Sequence, residues 1–558
     1  MASFVDNTDI RSAADIIPYY EELLKRPIND LEGLKRWFRH RDELEAQIAE
    51  SLGWTYIRYT CNTADPEAKR AFEHFVEEIQ PVSLRYTQKL NRKAFDSPFV
   101  NLLAQEPGYH IYLKRLRKQI DLFQEKNIPL ITRVQVLQQE YSKIAGAMTV
   151  SIDGKELTLQ QAQDLLFDPN RNKREEAYVK IAERRLKDCK ELNELLDELI
   201  ALRHQIATQA GYANYRDYIW DELCRFDYTP SDCLQMHRAV AQHAVPLLDD
   251  LANERQRQMG VRTLKPWDWK TDPLGRPPLY PFSDEKDLIE KTKVCLEQIH
   301  PFFAECLNRL HEAGRLDLSS RKNKAPGGYN YPLPVSNLPF IFMNASGSLR
   351  DVTTLLHEMG HAVHSILMAD LPLAAFKEVP SEVAELASMS MELITMPAWE
   401  AYLPQQEELQ RAYAFQKQEI IETLPWVACI DAFQHWLYTN PKHNHEQRRK
   451  AWHDIYSRFH DKLTDWHDLE EYHDYLWQKQ LHIYEVPFYY IEYGIAQLGA
   501  LALWQNYRKA PATTLQSYLD ALKIGYTHSI PDIYATAGIR FDFSEAYIQK
   551  TLQAVEEI

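Results

Sequence analysis

The sequence predicts a mainly α-helical fold with one small β-sheet. Glycine is sparse, at 17 of 558 residues, whereas Leu, Glu, Gln, Ala and Lys, all good helix formers, are plentiful. Apolar residues recur at three- and four-residue steps over most of the chain, the period of an amphipathic helix. Strand-like stretches are confined to two places, 148–157 and 338–344.

Residues 10–145 read as long, highly charged amphipathic helices. Leu31-Glu32-Gly33-Leu34-Lys35-Arg36-Trp37-Phe38 and Ile111-Tyr112-Leu113-Lys114-Arg115-Leu116 show the spacing best. Near 148–157 the period drops to two around Asp153-Gly154, a short-hairpin signal, and Thr158 then reads as an N-cap. Helices are expected over 173–210 and 230–260, followed by a Pro- and Trp-rich ordered connection at 261–283 and a further helix over 285–313. Ala325-Pro326-Gly327-Gly328-Tyr329 reads as a loop, 338–344 as a strand, Gly347 as a turn and 349–368 as a helix. From residue 387 the chain reads as helical, with breaks near Pro404, Pro441, Pro487 and Pro511. The expected organisation is a helical region at 1–145, a helical region with a small hairpin at 146–320, and a region at 321–558 that carries the chemistry, interleaved into one two-lobed fold.

Composition narrows the function classes. With 45% hydrophobic and 26% charged residues the chain is that of a globular protein. A net charge of −16 argues against nucleic-acid or anionic-membrane partners, which need basic surface. Seven cysteines without CxxC spacing read as reduced thiols of a cytoplasmic protein. The first ten residues lack the apolar core of a signal peptide, and no apolar run is long enough to span a bilayer. The oligomeric state is left open.

His357-Glu358-Met359-Gly360-His361 lies in the predicted 349–368 helix. Residues i and i+4 project from one helix face, so both imidazoles can hold one zinc ion while Glu358 takes a proton from its water. Alone, the pattern also fits two ordinary histidines on a helix. A catalytic zinc site needs a third protein ligand, and Glu378, Glu382 and Glu385 follow at helical spacing within an apolar segment. Pro380 suits the first turn of that helix, which places Glu378 near its start. Gly360, a poor helix former inside a helix, implies that something approaches the backbone closely there. His364 reads as structural.

His357-Glu358-Met359-Gly360-His361-Ala362-Val363-His364 followed by Glu378-Val379-Pro380-Ser381 resembles the M3 family of metallopeptidases, particularly its bacterial oligoendopeptidase branch. Ala325–Tyr329 and Pro339–Asn344 resemble that branch's loop and strand ahead of the zinc helix. The resemblance implies a helical ellipsoid with a deep central channel, one Zn²⁺ per chain, and cleavage of internal bonds in short peptides. It implies Glu378 as third zinc ligand, with Glu382 and Glu385 orienting a ligating histidine. It assigns His482, Tyr489 and Tyr493 as donors to the substrate carbonyl, and Gly327, Gly328, Phe342, Asn344 and Tyr490 as peptide-binding residues. The 338–344 strand is expected to take up an extended peptide as a further strand. The competing readings are a helical zinc carboxypeptidase or dipeptidyl carboxypeptidase and, from another class, a non-enzymatic helical peptide-binding protein.

Overall fold

Helix carries most of the chain in the computed structural model, which describes residues 3–5, 10–325 and 327–558. Pro326, in the predicted loop, lies outside the described residues. The fold is mainly α, as the composition and periodicity predict. Among the described residues no helix is long and apolar enough to cross a membrane, and no disulfide joins the cysteines.

Two small sheets interrupt the helices. β1 (Thr149–Ile152) and β2 (Lys155–Thr158) form the antiparallel hairpin predicted from Asp153-Gly154. Both turn residues have positive φ, 52° and 73°, the backbone that a two-residue hairpin turn requires. Thr158 then caps the following helix by accepting from the Gln161 N–H. The second sheet contains β3 (Leu316–Ser319), β4 (Tyr329–Tyr331) and β5 (Phe340–Ala345), in the order β3-β5-β4. β5 is therefore the central strand, parallel to β3 and antiparallel to β4. Its apolar side chains pack with Leu333 on helix α1 (Leu31–Cys61), around Trp54 and Ile57. Tyr331 lies over Gly53, where a Cβ would come within 2.6 Å of its ring.

Several predicted helices are shorter than expected. The 230–260 stretch divides at Ala244 into α2 (Pro230–His243) and Val245–Met259, and the 285–313 stretch divides at His300 into Glu285–Ile299 and Pro301–Glu312. Pro246 and Pro301 explain both breaks, because proline lacks an N–H and pushes its predecessor out of helical geometry. The 173–210 stretch breaks at Asp188. The later helices that matter below are α3 (Leu349–Leu367), α4 (Ser381–Ile394), α5 (Gln406–Thr439) and α6 (Ile491–Lys509).

The chain forms two compact units. One comprises Met1–Phe123, Tyr280–Leu409 and Gly499–Phe541; the other comprises Gln124–Leu279, Gln410–Leu498 and Asp542–Ile558. The divisions fall after 123 and 279, not at the expected 145 and 320. The second sheet, α3 and α4 belong to the first unit; the hairpin and α2 belong to the second.

Candidate metal centre

α3 is fixed at both its start and its face. Ser348 accepts from the Asp351 N–H at 3.3 Å, while the Asp351 carboxylate accepts from the backbone N–H groups of Ser346, Gly347 and Ser348 at 2.8–2.9 Å. Val352, Leu355, Leu356, Met359, Ala362 and Val363 are fully buried. The opposite side presents His357 and His361, half-buried, with ring centroids 5.0 Å apart.

Gly360 lets α4 come into backbone contact with α3. A Cβ there would sit 2.5 Å from the Ser388 Cα and 2.7 Å from the Ala387 oxygen. α4 is also held by its carbonyls: Tyr534 donates to Glu382 and Tyr518 donates to Ala387. A methyl group at 360 must push the helices apart, an overpacking cost of about 1–3 kcal/mol. Gly360→Ala is expected to lower Tm and weaken metal retention together, measured by thermal unfolding with and without added zinc.

The close approach places Glu385 against both imidazoles. Its Oε2 lies 3.2 Å from His357 Nε2 and 3.7 Å from His361 Nε2, and Ser388 Oγ donates to the same oxygen at 3.1 Å. Glu392, seven residues further along α4, sits 2.7 Å from His357 Nδ1. The His361 ring hydrogen-bonds the Ala384 backbone. Each imidazole is therefore oriented by a partner on one nitrogen and presents Nε2 to Glu385, the usual support of a metal-ligating histidine.

The electrostatics follow from burial. Burial lowers His357, but Glu385 and Glu392 on its two nitrogens outweigh that and hold it well above the ordinary imidazole range. Burial lowers His361 to about 4, so that ring is neutral and available as a ligand. Glu358 is buried beside them; burial pushes its carboxyl up to about 7, and its Oε2 has no hydrogen-bond partner. Two imidazoles and a carboxylate within 4.8 Å of one another, beside an unpartnered buried carboxylate, fit a divalent cation with one position left for water. The residues present thus suit zinc.

The predicted residues fare differently. Glu378 is not beside the histidines: it is 65% exposed and paired with Arg115 at 2.5 Å. Pro380 is the extended N-cap of α4, not part of its first turn, so the chain at 378 has left the helix face that carries Glu385. Glu385, expected as a supporting acceptor, is the carboxylate that lies between the two Nε2 atoms. The carboxylate on His357 Nδ1 is Glu392, which was not among the predicted residues; Glu382 is buried about one turn before Glu385 on α4. His364 is buried and hydrogen-bonds the Leu522 backbone, a structural role.

Gly328 lies over the centre, since a Cβ there would be 3.9 Å from Glu358 Oε1. Gly327 has φ +94°, which favours glycine. Asn344 spends its amide on the carbonyls of Ala325 and Gly327, so it shapes the loop from below. Phe342 is fully buried and stacked on Tyr329 at 4.7 Å, and β5 is flanked on both sides. Neither Phe342 nor β5 can meet a peptide in the expected way; the edge strands are β3 and β4, and β4 is the one beside the glycine loop.

His482, Tyr489, Tyr490 and Tyr493 belong to the second unit and form one ring cluster. His482 lies 5.9 Å from Tyr489, 4.8 Å from Tyr490 and 5.9 Å from Tyr493. Tyr489 and Tyr490 precede α6, following Phe488 at φ 67°, so a break in the chain, not one helix face, gathers the rings. Gln480 Oε1 accepts from Trp426, which turns its amide nitrogen to His482 Nδ1 at 2.6 Å. Nδ1 is thus the acceptor and Nε2 carries the proton, which makes His482 a donor.

The family model for Peptidase family M3 matches residues 165–552, and that for the Peptidase M3 N-terminal domain matches residues 12–123. Group B oligopeptidase PepB of Streptococcus agalactiae serotype III (strain NEM316) is 22% identical over 337 residues, 59% of this chain and 54% of that protein. Chromosomal oligoendopeptidase F of Lactococcus lactis subsp. cremoris is 22% identical over 322 residues, 57% of this chain and 52% of that protein. The chain spans about half the length of these curated relatives. The solved structure of PZ peptidase A with an inhibitor matches at a TM-score of 0.90 and 25% identity, covering 98% of this chain and 96% of that one.

Proposed function

The chain belongs to peptidase family M3, and on that premise we propose that it is a zinc-dependent oligoendopeptidase that cleaves internal bonds of short peptides. The observation that carries this reading is the convergence of His357, His361 and Glu385 beside the unpartnered carboxylate of Glu358. His357, His361 and Glu385 hold one zinc ion per chain. When bound, zinc supplies the Lewis acidity that makes water nucleophilic near neutral pH.

The chain's own groups do the rest. Glu358 takes a proton from the attacking water as the new C–O bond forms, then delivers it to the amine as the C–N bond breaks. The family resemblance assigns the His482 Nε2–H and the hydroxyls of Tyr489 and Tyr493 as donors to the carbonyl oxygen, a role worth about 3–4 kcal/mol per donor. The Gly327-Gly328 backbone and the edge of β4 hold the peptide extended, and the family resemblance adds Tyr490 as a peptide-binding residue. Seven thiols without a disulfide suit a reducing compartment, and we place the activity in the cytoplasm.

A short fluorogenic peptide blocked at both ends tests this reading. Cleavage that stops with a chelator and returns with zinc is expected. Cleavage only of peptides with a free C-terminus would turn the reading to a carboxypeptidase, and binding without any cleavage would turn it to a peptide-binding protein.

A further inference from the structure

We infer that the second unit carries its own metal site, in which Cys233 and His237 of α2 and Asp431 and His435 of α5 hold a structural zinc ion. The four donors form two i, i+4 pairs, so each helix turns both of its donors to one side. Cys233 and Asp431 are fully buried, and His237 and His435 are each 5% exposed. Asp431 Oδ2 lies 2.8 Å from His237 Nε2 and 3.2 Å from His435 Nε2. Single donor atoms of Cys233, Asp431 and His435 all lie within 4.8 Å of one another.

The hydrogen bonding of this cluster is incomplete. His237 is bonded to Asp431, but His435 Nδ1 and Asp431 Oδ1 have no hydrogen-bond partner, and His435 Nε2 has only its 3.2 Å approach to Asp431 Oδ2. Around them stand Trp220 and Phe488, whose rings lie 5.8 and 5.3 Å from His435, and Phe459 beside His237. Buried polar atoms are rarely left unpaired among aromatic rings, and a cation would satisfy Asp431 and one ring nitrogen of His435 at once.

The distances suit zinc. Bonds of about 2.0–2.2 Å to N and O set tetrahedral donors roughly 3.3–3.6 Å apart, so the approaches of His237 and His435 to Asp431, at 2.8 and 3.2 Å, need to open by about 0.1–0.8 Å. A thiolate from Cys233 and the Asp431 carboxylate neutralise a dication, and mixed thiolate, imidazole and carboxylate donors favour zinc over calcium or magnesium. Four protein donors close the coordination shell, which marks a structural site that ties α2 to α5, not a catalytic one. His237 and His435 line a cavity of about 1180 Å³, which gives an ion a way in. None of this depends on the chain's being a peptidase.

Metal analysis and cobalt substitution of the full chain test the inference. Wild-type protein saturated with zinc should retain a second ion per chain after gel filtration, and Cys233→Ser should retain one fewer. Loaded with Co²⁺, the wild type should show a near-ultraviolet thiolate-to-cobalt charge-transfer band that Cys233→Ser and His435→Gln both lose. Neither the His357, His361 and Glu385 centre nor the group of His453, His473 and Asp474 contains a thiol, so neither can give that band. A single ion per chain with no thiolate band in the wild type overturns the site, whether or not the variants fold. So does a band that survives Cys233→Ser.

Discussion

Glu358→Gln is expected to bind zinc at wild-type stoichiometry and to turn over blocked peptides at least about 10³-fold more slowly. A positioned general acid–base group contributes roughly 10²–10⁴-fold, and the upper part of that range applies because Glu358 is assigned both proton transfers. A 10³-fold loss in kcat/KM corresponds to about 4 kcal/mol of transition-state stabilisation. Zinc is retained because the ligand atoms are His357 Nε2, His361 Nε2 and a Glu385 oxygen, none of which the substitution touches. Glutamine has nearly the same volume as glutamate, so Gly328 and Asn330 keep their contacts. It also removes an ionisable carboxyl from a buried position, so Tm should not fall. The check is kcat/KM and zinc content on one preparation; activity within about tenfold of wild type would contradict the assignment.

Paired substitutions of two glutamates give the second large effect. Glu385→Ala is expected to weaken zinc binding by more than about 100-fold, the loss that removal of a mere supporting partner already reaches, and to abolish activity with it. Glu378→Ala is expected to leave zinc binding and activity close to wild type. It removes only an exposed partner of Arg115, an ion pair worth about 0–1 kcal/mol. Zinc titration of both variants checks the pair. Loss of zinc from the Glu378 variant with retention in the Glu385 variant would restore the expectation drawn from the family resemblance.

The contrast between these glutamates shows what the sequence could and could not reveal. The placement of His357, Glu358 and His361 on one helix was legible because the apolar residues of 349–368 repeat at helical period. Glu378, Glu382 and Glu385 share a spacing that fits one face, and spacing alone cannot rank them. Pro380 decides the matter by capping α4, which leaves Glu378 outside the helix. The contact that selects Glu385 is the backbone approach of α4 at Gly360, and the sequence signals it only as a glycine in mid-helix. Glu392 was passed over because it lies in the apolar run Met389–Ile394, where a lone carboxylate shows no partner in the sequence.

The sheet tells a similar story. The hairpin at Asp153-Gly154 was legible because its turn chemistry is local. β5 was legible as an apolar run, but its place between β3 and β4 depends on pairing with residues 9–13 positions earlier in β4 and 25–26 positions earlier in β3. The divisions after 409 and 498 lie within helices α5 and α6, so no Gly- or Pro-rich linker marks them.

The most direct test of the metal centre is an anomalous difference map collected at the zinc absorption edge from crystals of the zinc-loaded protein. A peak bonded to His357 Nε2, His361 Nε2 and a Glu385 oxygen, with Glu392 on His357 Nδ1, is the predicted result. A peak ligated by Glu378, or no peak at the two histidines, would contradict it.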